Sequence, residues 1–184
     1  GSAGAGGTGV DAGPTTKTYP AAIAECIALV NPDPDVCETA TGTGQMAVDL
    51  VNSAIPLTSP DPETAAFVSF QLDNAFAGKQ VLSVTLEITV SNGTNANAPA
   101  SGAVWEVGPF TLASLSGTEP AKQRSSLVPS QGAVTQLQVV SWTLPNASVT
   151  AGQTLYLGVF TTAMDGVDYT ATGADAPTLT VQYQ

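Results

Sequence analysis

An all-β domain, a jelly-roll β-sandwich, is predicted by three features of this 184-residue chain. Its apolar residues alternate with a period of two in the segments that carry most of them. Loops rich in Gly, Pro and Asn separate those segments. The alternating polar positions are mostly Thr and Ser, which suit the wetter face of a sheet buried on one side. An immunoglobulin-like sandwich is the runner-up. Its cysteines would cross the core, whereas Cys26 and Cys37 precede the main strands.

The elements follow in order. Residues 1–18, opening GSAGAGGTG, read as a flexible tail with nothing to pack. Residues 20–30, PAAIAECIALV, predict a short helix with Pro20 in its first turn and Ile23, Ile27 and Val30 on one stripe. The Asn-Pro-Asp-Pro-Asp run at 31–35 ends it. A disulfide between Cys26 and Cys37 is expected, closing a short loop over that turn material. It would staple residues 19–44 as a strap against a single sandwich domain spanning 19–184, and would fit an oxidising compartment.

From residue 45 the period becomes two. Met46, Val48 and Leu50 share a face, as do Ala66, Val68, Phe70 and Leu72. The clearest strand is 81–90, where Leu82, Val84, Leu86, Ile88 and Val90 oppose Ser83, Thr85, Glu87 and Thr89. Further strands are predicted at 103–107, 136–144, 154–161, 167–171 and 178–183, with 109–133 mostly loop. Met164-Asp165-Gly166 reads as a hairpin turn.

Charge narrows function. There is no histidine, and Arg124, Lys17, Lys79 and Lys122 are the only bases against fifteen carboxylates, for a net charge of −11. No imidazole is available for proton transfer near neutral pH. Four scattered cations form no stripe for nucleic acid or anionic lipid. No apolar run is long enough for a transmembrane helix. The Gly-rich opening would serve as a spacer if a lipid anchor lay upstream.

The segments VSFQL at 68–72, VLSVTLEITV at 81–90 and GAVWEV at 102–107, with the stretch from Val149 to the closing PTLTVQY, resemble DNRLRE-type extracellular modules. The resemblance covers about residues 45–183. It implies a jelly roll related in architecture to carbohydrate-binding modules, with an accessory or structural role in bacterial surface and secreted proteins. Thr170-Ala171-Thr172 departs from the Arg or acidic residue common in the family's penultimate strand, and residues 14–44 fall outside the resemblance.

Candidate sites use carboxylates and aromatics. Asp165, Asp168 and Asp175 are candidate calcium ligands, being hard oxygen donors around the last strands, with Asp33 and Asp35 as a second set. The alternative is that they shape turns and loops. Trp105, Trp142, Tyr156 and Tyr169 are candidate platforms for a glycan, since sugar faces stack on aromatic rings. Trp142 alternates with Val140 and Leu144 as a core residue does, and both Trp residues read first as core. Tyr156 and Tyr169 are expected to be the more exposed pair. Glu87 and Glu106 are the one carboxylate pair considered for glycoside hydrolysis. Glu87 alternates outward with Thr85 and Thr89, which favours a solvated face.

The leading expectation is a non-catalytic extracellular or cell-surface module, structural or glycan-binding, whose partner is a glycan or a surface protein. The alternatives are a self-associating subunit of a surface fibre or layer, and a carboxylate-dependent polysaccharide hydrolase.

Overall fold

The computed structural model describes residues 13–28, 44–50, 64–93, 96–116, 118–123, 125–163 and 165–184. They form ten strands: β1 (Thr15–Pro20), β2 (Ile23–Ala28), β3 (Gln45–Val48), β4 (Thr64–Gln71), β5 (Val81–Thr89), β6 (Ala103–Glu106), β7 (Val139–Leu144), β8 (Thr154–Phe160), β9 (Val167–Thr170) and β10 (Thr178–Tyr183). A single helical turn, α1 (Leu112–Leu115), and two 3-10 turns, η1 (Asn146–Ser148) and η2 (Gly173–Asp175), complete the set.

The strands pair antiparallel into a sheet ordered β1-β10-β5-β7, a sheet ordered β2-β4-β8-β6, and a ribbon of β3 with β9. The first and last strands lie side by side, as in a jelly roll. Lys122 and Val128 flank the outer edge of β6 through bridges from Val104 to Val128 and Val107 to Lys122. The ribbon is tied to both sheets, through Val90–Tyr169 on one side and Asp49–Thr64 on the other. An all-β, sandwich-like architecture is therefore shown.

The main core lies between the two sheets. Val84, Leu86, Ile88, Trp142, Leu179 and Val181 from the first meet Ala66, Val68, Phe70, Leu155, Leu157 and Val159 from the second. These are the alternating positions of β4, β5, β7, β8 and β10, so the period of two does the sorting. A second cluster covers the other face of the β2-β4-β8-β6 sheet, where Ile27, Ala65, Phe67 and Phe160 pack under Val107, Phe110 and Leu115. The segment carrying α1 is thus a lid on that sheet. Thr111 caps the turn, accepting from the Ser114 N–H while Ser114 Oγ accepts from the Thr111 N–H. This explains why β4 is buried at every position but Gln71.

Three expectations are corrected. Residues 20–30 do not begin a helical strap: Ile23–Ala28 is strand β2, paired with β4 from Ile23↔Ser69 to Ala28↔Thr64. Ile23 and Ile27 fit a helical stripe and an alternating strand equally well. The open edge of β4 decides between them, because its backbone groups need partners. Cys26 is fully buried on the core side of β2 and is not a free thiol, while its expected partner Cys37 lies outside the described residues. Second, the chain joins a sheet at Thr15, within the segment expected as tail. Only Tyr19 of β1 enters the core, so no alternation announced the strand; cross-strand contacts such as Thr18 Oγ1 to Thr180 Oγ1 at 3.0 Å hold it. Third, Asp165-Gly166 does not close a hairpin, since β8 pairs with β4 and β6 while β9 pairs with β3.

Candidate functional site

The four aromatic candidates divide into two pairs. Trp142 and Tyr169 are fully buried and pack edge to face at 6.1 Å. The Tyr169 hydroxyl donates to the Ser101 carbonyl at 2.7 Å, and burial pushes its pKa upward. Neither ring offers a face to a ligand. Tyr169, expected to be exposed, is inside because the β3-β9 ribbon folds its inward face over the end of the sandwich. Trp105 and Tyr156 are both half-buried on the outer face of the β2-β4-β8-β6 sheet.

Their surroundings are aromatic. Phe67 packs edge to face against Phe110 at 5.9 Å and Phe160 at 5.7 Å, and Trp105 packs against Phe160 at 6.4 Å. Gly158, between them on β8, leaves the space that the Phe67 and Phe160 rings fill. Lys122 sits over the Phe160 ring at 3.8 Å and over Trp105 at 5.0 Å, satisfying its charge against ring faces. Lys122 thereby covers part of Trp105.

Tyr156 stands beside an open groove of about 330 Å³. Its walls come from the end of β6 (Glu106, Val107), from Pro109 and Gln123, from Ala147, Ser148 and Thr150 around η1, from Gln153 to Tyr156 at the start of β8, and from Leu72. Backbone bonds hold these pieces together. The Val107 N–H donates to the Tyr156 carbonyl at 3.1 Å, the Gln123 N–H to the Glu106 carbonyl at 3.0 Å, and the Leu72 N–H to the Gln153 carbonyl at 3.0 Å. Phe110 meets Tyr156 at 5.1 Å and 66°, fixing the ring from behind. Gly152 takes a left-handed φ of +75° at the turn into β8, and a Cβ there would fall 2.6 Å from Asn74 Oδ1.

Among the described residues the polar part of the lining is one aromatic ring, two carboxamides, Ser and Thr hydroxyls and a single carboxylate, with no cation, beside apolar Leu72, Val107, Pro109, Ala147 and Leu155. Such a wall can hydrogen-bond a neutral polar ligand and gives a phosphate or sulfate nothing to neutralise it. Trp105 is outside this lining, so the structure brings only Tyr156 of the four aromatic candidates to the groove. Of the two carboxylates Glu87 and Glu106, Glu106 reaches it. Gln123 and Gln153 carried no sequence signal: each is an ordinary loop glutamine until the fold sets it beside Tyr156.

The calcium candidates are not assembled. Asp165 is exposed before β9, and Asp175 is exposed on η2. Asp168 is half-buried on β9 opposite Ala47, and desolvation raises the pKa of its carboxyl. Among the described residues no three acidic or cysteine side chains converge as a metal-binding group. Asp33 and Asp35 lie outside the described residues. Glu87 and Glu106 fall in different sheets, and Glu87 accepts from Ser141 Oγ at 3.1 Å on the outer face of its own.

A separate polar cluster anchors the N-terminal strand. Lys17 pairs with Asp73, whose other oxygen accepts from the Tyr19 hydroxyl and the Ala75 N–H, each at 3.0 Å. The Lys17 hydrogen bond, then that of Ala75, lowers the Asp73 pKa to about 2. Burial, then Asp73 itself, raises that of Tyr19. These contacts tie β1 to the β4–β5 turn, so the cluster reads as a clamp.

Compared with protein-family models and with curated proteins, the chain matches none of them. The resemblance to DNRLRE-type modules is thus carried no further than the fold: several antiparallel sheets in a sandwich-like arrangement.

Proposed function

We propose that this domain is a non-catalytic module of a secreted or cell-surface protein and that it holds a neutral glycan in the groove beside Tyr156. One observation carries the reading: a half-buried aromatic ring, braced by Phe110, stands among carboxamide and hydroxyl groups in a wall whose described residues carry no charge but that of Glu106. A pyranose presents an apolar face to such a ring and hydroxyls to such amides. No helix among the described residues is long and apolar enough to cross a membrane, which fits a module displayed or tethered by other means.

The test is calorimetry and protein NMR with neutral oligosaccharides of several linkages and with N-acetylated ones. Weak binding is expected, with Tyr156→Ala and Gln123→Ala each lowering affinity at least about tenfold, or about 1.4 kcal/mol. Shifts in the NMR spectrum should centre on residues 106, 123 and 153–156. An absence of heat and of shifts with every sugar at millimolar concentration overturns the glycan reading.

A further inference from the structure

We infer that the free edge of β7 is a self-association surface, through which two copies of this chain pair β7 to β7, antiparallel, about a two-fold axis. The inference is independent of the groove.

The two main sheets have four edge strands, β1, β7, β2 and β6. Sheet edges are ordinarily protected by charge, proline, brevity or a covering segment. β1 carries Lys17 and ends in Pro20. β2 carries Glu25 at its middle. β6 is four residues long and is covered by Gln123, Leu127 and Val128, with the Val104 N–H bonded to the Val128 carbonyl at 2.9 Å. Among the described residues β7 has none of these devices. It is VVSWTL, six residues without charge or proline.

Its backbone is presented outward in a regular row. Val90 donates to the Gln138 carbonyl at 2.8 Å and accepts from the Leu137 N–H at 3.1 Å, which sets the ladder between β5 and β7. By alternation along that ladder, Val140, Trp142 and Leu144 bond to β5, while Val139, Ser141 and Thr143 direct their N–H and C=O groups away from it. Those groups have no hydrogen-bond partner among the described residues. The side chains of the same three residues are exposed, Val139 by 54%. Just before them Leu137, a non-glycine residue at φ +61°, holds its side chain 65% exposed at the bulge that starts the strand.

Charge identifies the occupant as a second copy. The chain carries −11, so two copies repel across most of their surfaces. From Ser125 to Met164 there is no charged residue at all, and β7 lies within that stretch. The one charged residue opposite β7 in the β5 register is Glu87, whose carboxylate accepts from Ser141 Oγ on the sheet face, whereas β1, β2 and β6 carry Lys17, Glu25 and Glu106 in the edge strand itself. The strand also suits itself. Centred on Ser141, antiparallel pairing sets Val139 beside Thr143 of the partner subunit and Ser141 beside Ser141 of the partner subunit, joining small and β-branched residues that favour strands. The result is a continuous eight-stranded sheet. Because the two-fold axis uses both free β7 edges, the assembly closes as a dimer.

Sedimentation velocity from about 10 μM to about 1 mM, the range where a small interface associates, tests this. A reversible monomer–dimer equilibrium is expected, strengthened by added salt, which screens the net charge. Ser141→Asp places two carboxylates side by side, each next to a Glu87 carboxylate, and should weaken the dimer at least tenfold, about 1.4 kcal/mol. Ser141→Pro removes the outward N–H together with the Oγ hydrogen bond to Glu87 and should do the same if it folds. Thr16→Asp, the same change on the opposite edge of the sheet, should leave the dimer intact in high salt. A monomer throughout the range in both low and high salt, or a dimer equally tight in Ser141→Asp, overturns the proposal.

Discussion

Gly158→Ala tests whether the outer face of the β2-β4-β8-β6 sheet is a packed second core. A Cβ at that position would lie 2.5 Å from Phe160 Cε2, 3.1 Å from Phe160 Cζ and 3.2 Å from Phe67 Cε1. Ordinary carbon–carbon contact is about 3.5–4 Å, so the Phe160 ring must retreat by about 1 Å. Its escape is restricted by Phe67 and Trp105, both edge to face, and by Lys122 Nζ at 3.8 Å. Overpacking of this kind costs about 1–3 kcal/mol, offset by the roughly 0.5–1 kcal/mol that alanine regains over glycine inside a strand. A net loss of about 1–2 kcal/mol is expected. For a chain of this size that is a fall in Tm of about 2–8 °C. Urea titration and calorimetry measure it directly. In a Phe160→Leu background, where the smaller side chain vacates the contested space, the penalty of Gly158→Ala should shrink by more than half. If Gly158→Ala is neutral or stabilising, or if its cost is the same in the Phe160→Leu background as with Phe160 in place, the outer cluster is not packed as described.

Two other predictions concern polar groups. Tyr169→Phe leaves the Ser101 carbonyl without its buried donor and should cost about 1–3 kcal/mol in urea unfolding; a loss below the error of that measurement would mean that solvent reaches the carbonyl. Asp73, held at about 2 in the folded state against an ordinary 3.8, contributes stability that is complete above the unfolded value and is lost as pH falls from about 4 through about 2. Asp73→Asn should therefore lower Tm near neutrality and flatten its fall over that acid window; an unchanged acid limb would place the sensitivity elsewhere.

Much of the fold was legible locally. β5, β8 and β10 each declare two faces, and the declared faces are the ones found inward: Val84, Leu86 and Ile88; Leu155, Leu157 and Val159; Leu179 and Val181. Other elements were hidden for physical reasons. β1 contributes a single core residue, and β2 has a pattern that fits two periods, so the choice between helix and strand fell to the open edge of β4. β8 also showed Tyr156 and Phe160 opposite its core face, but not that α1 and Phe110 would cover them. Trp142 alternated as a core residue and is one. Tyr169 carried no mark distinguishing it from Tyr156, because the ribbon that buries it is built from β3, far away in sequence.

The sequence by itself determined the period of two, the all-β class and the scarcity of cations, because these depend on side-chain direction along a strand and on composition. Tertiary structure decided which strand edges are covered, which aromatic rings reach solvent, and that Glu106, Gln123 and Gln153 share a wall with Tyr156. Those outcomes depend on backbone groups finding distant partners and on what then covers each sheet face, and neither quantity is a property of any local stretch of chain.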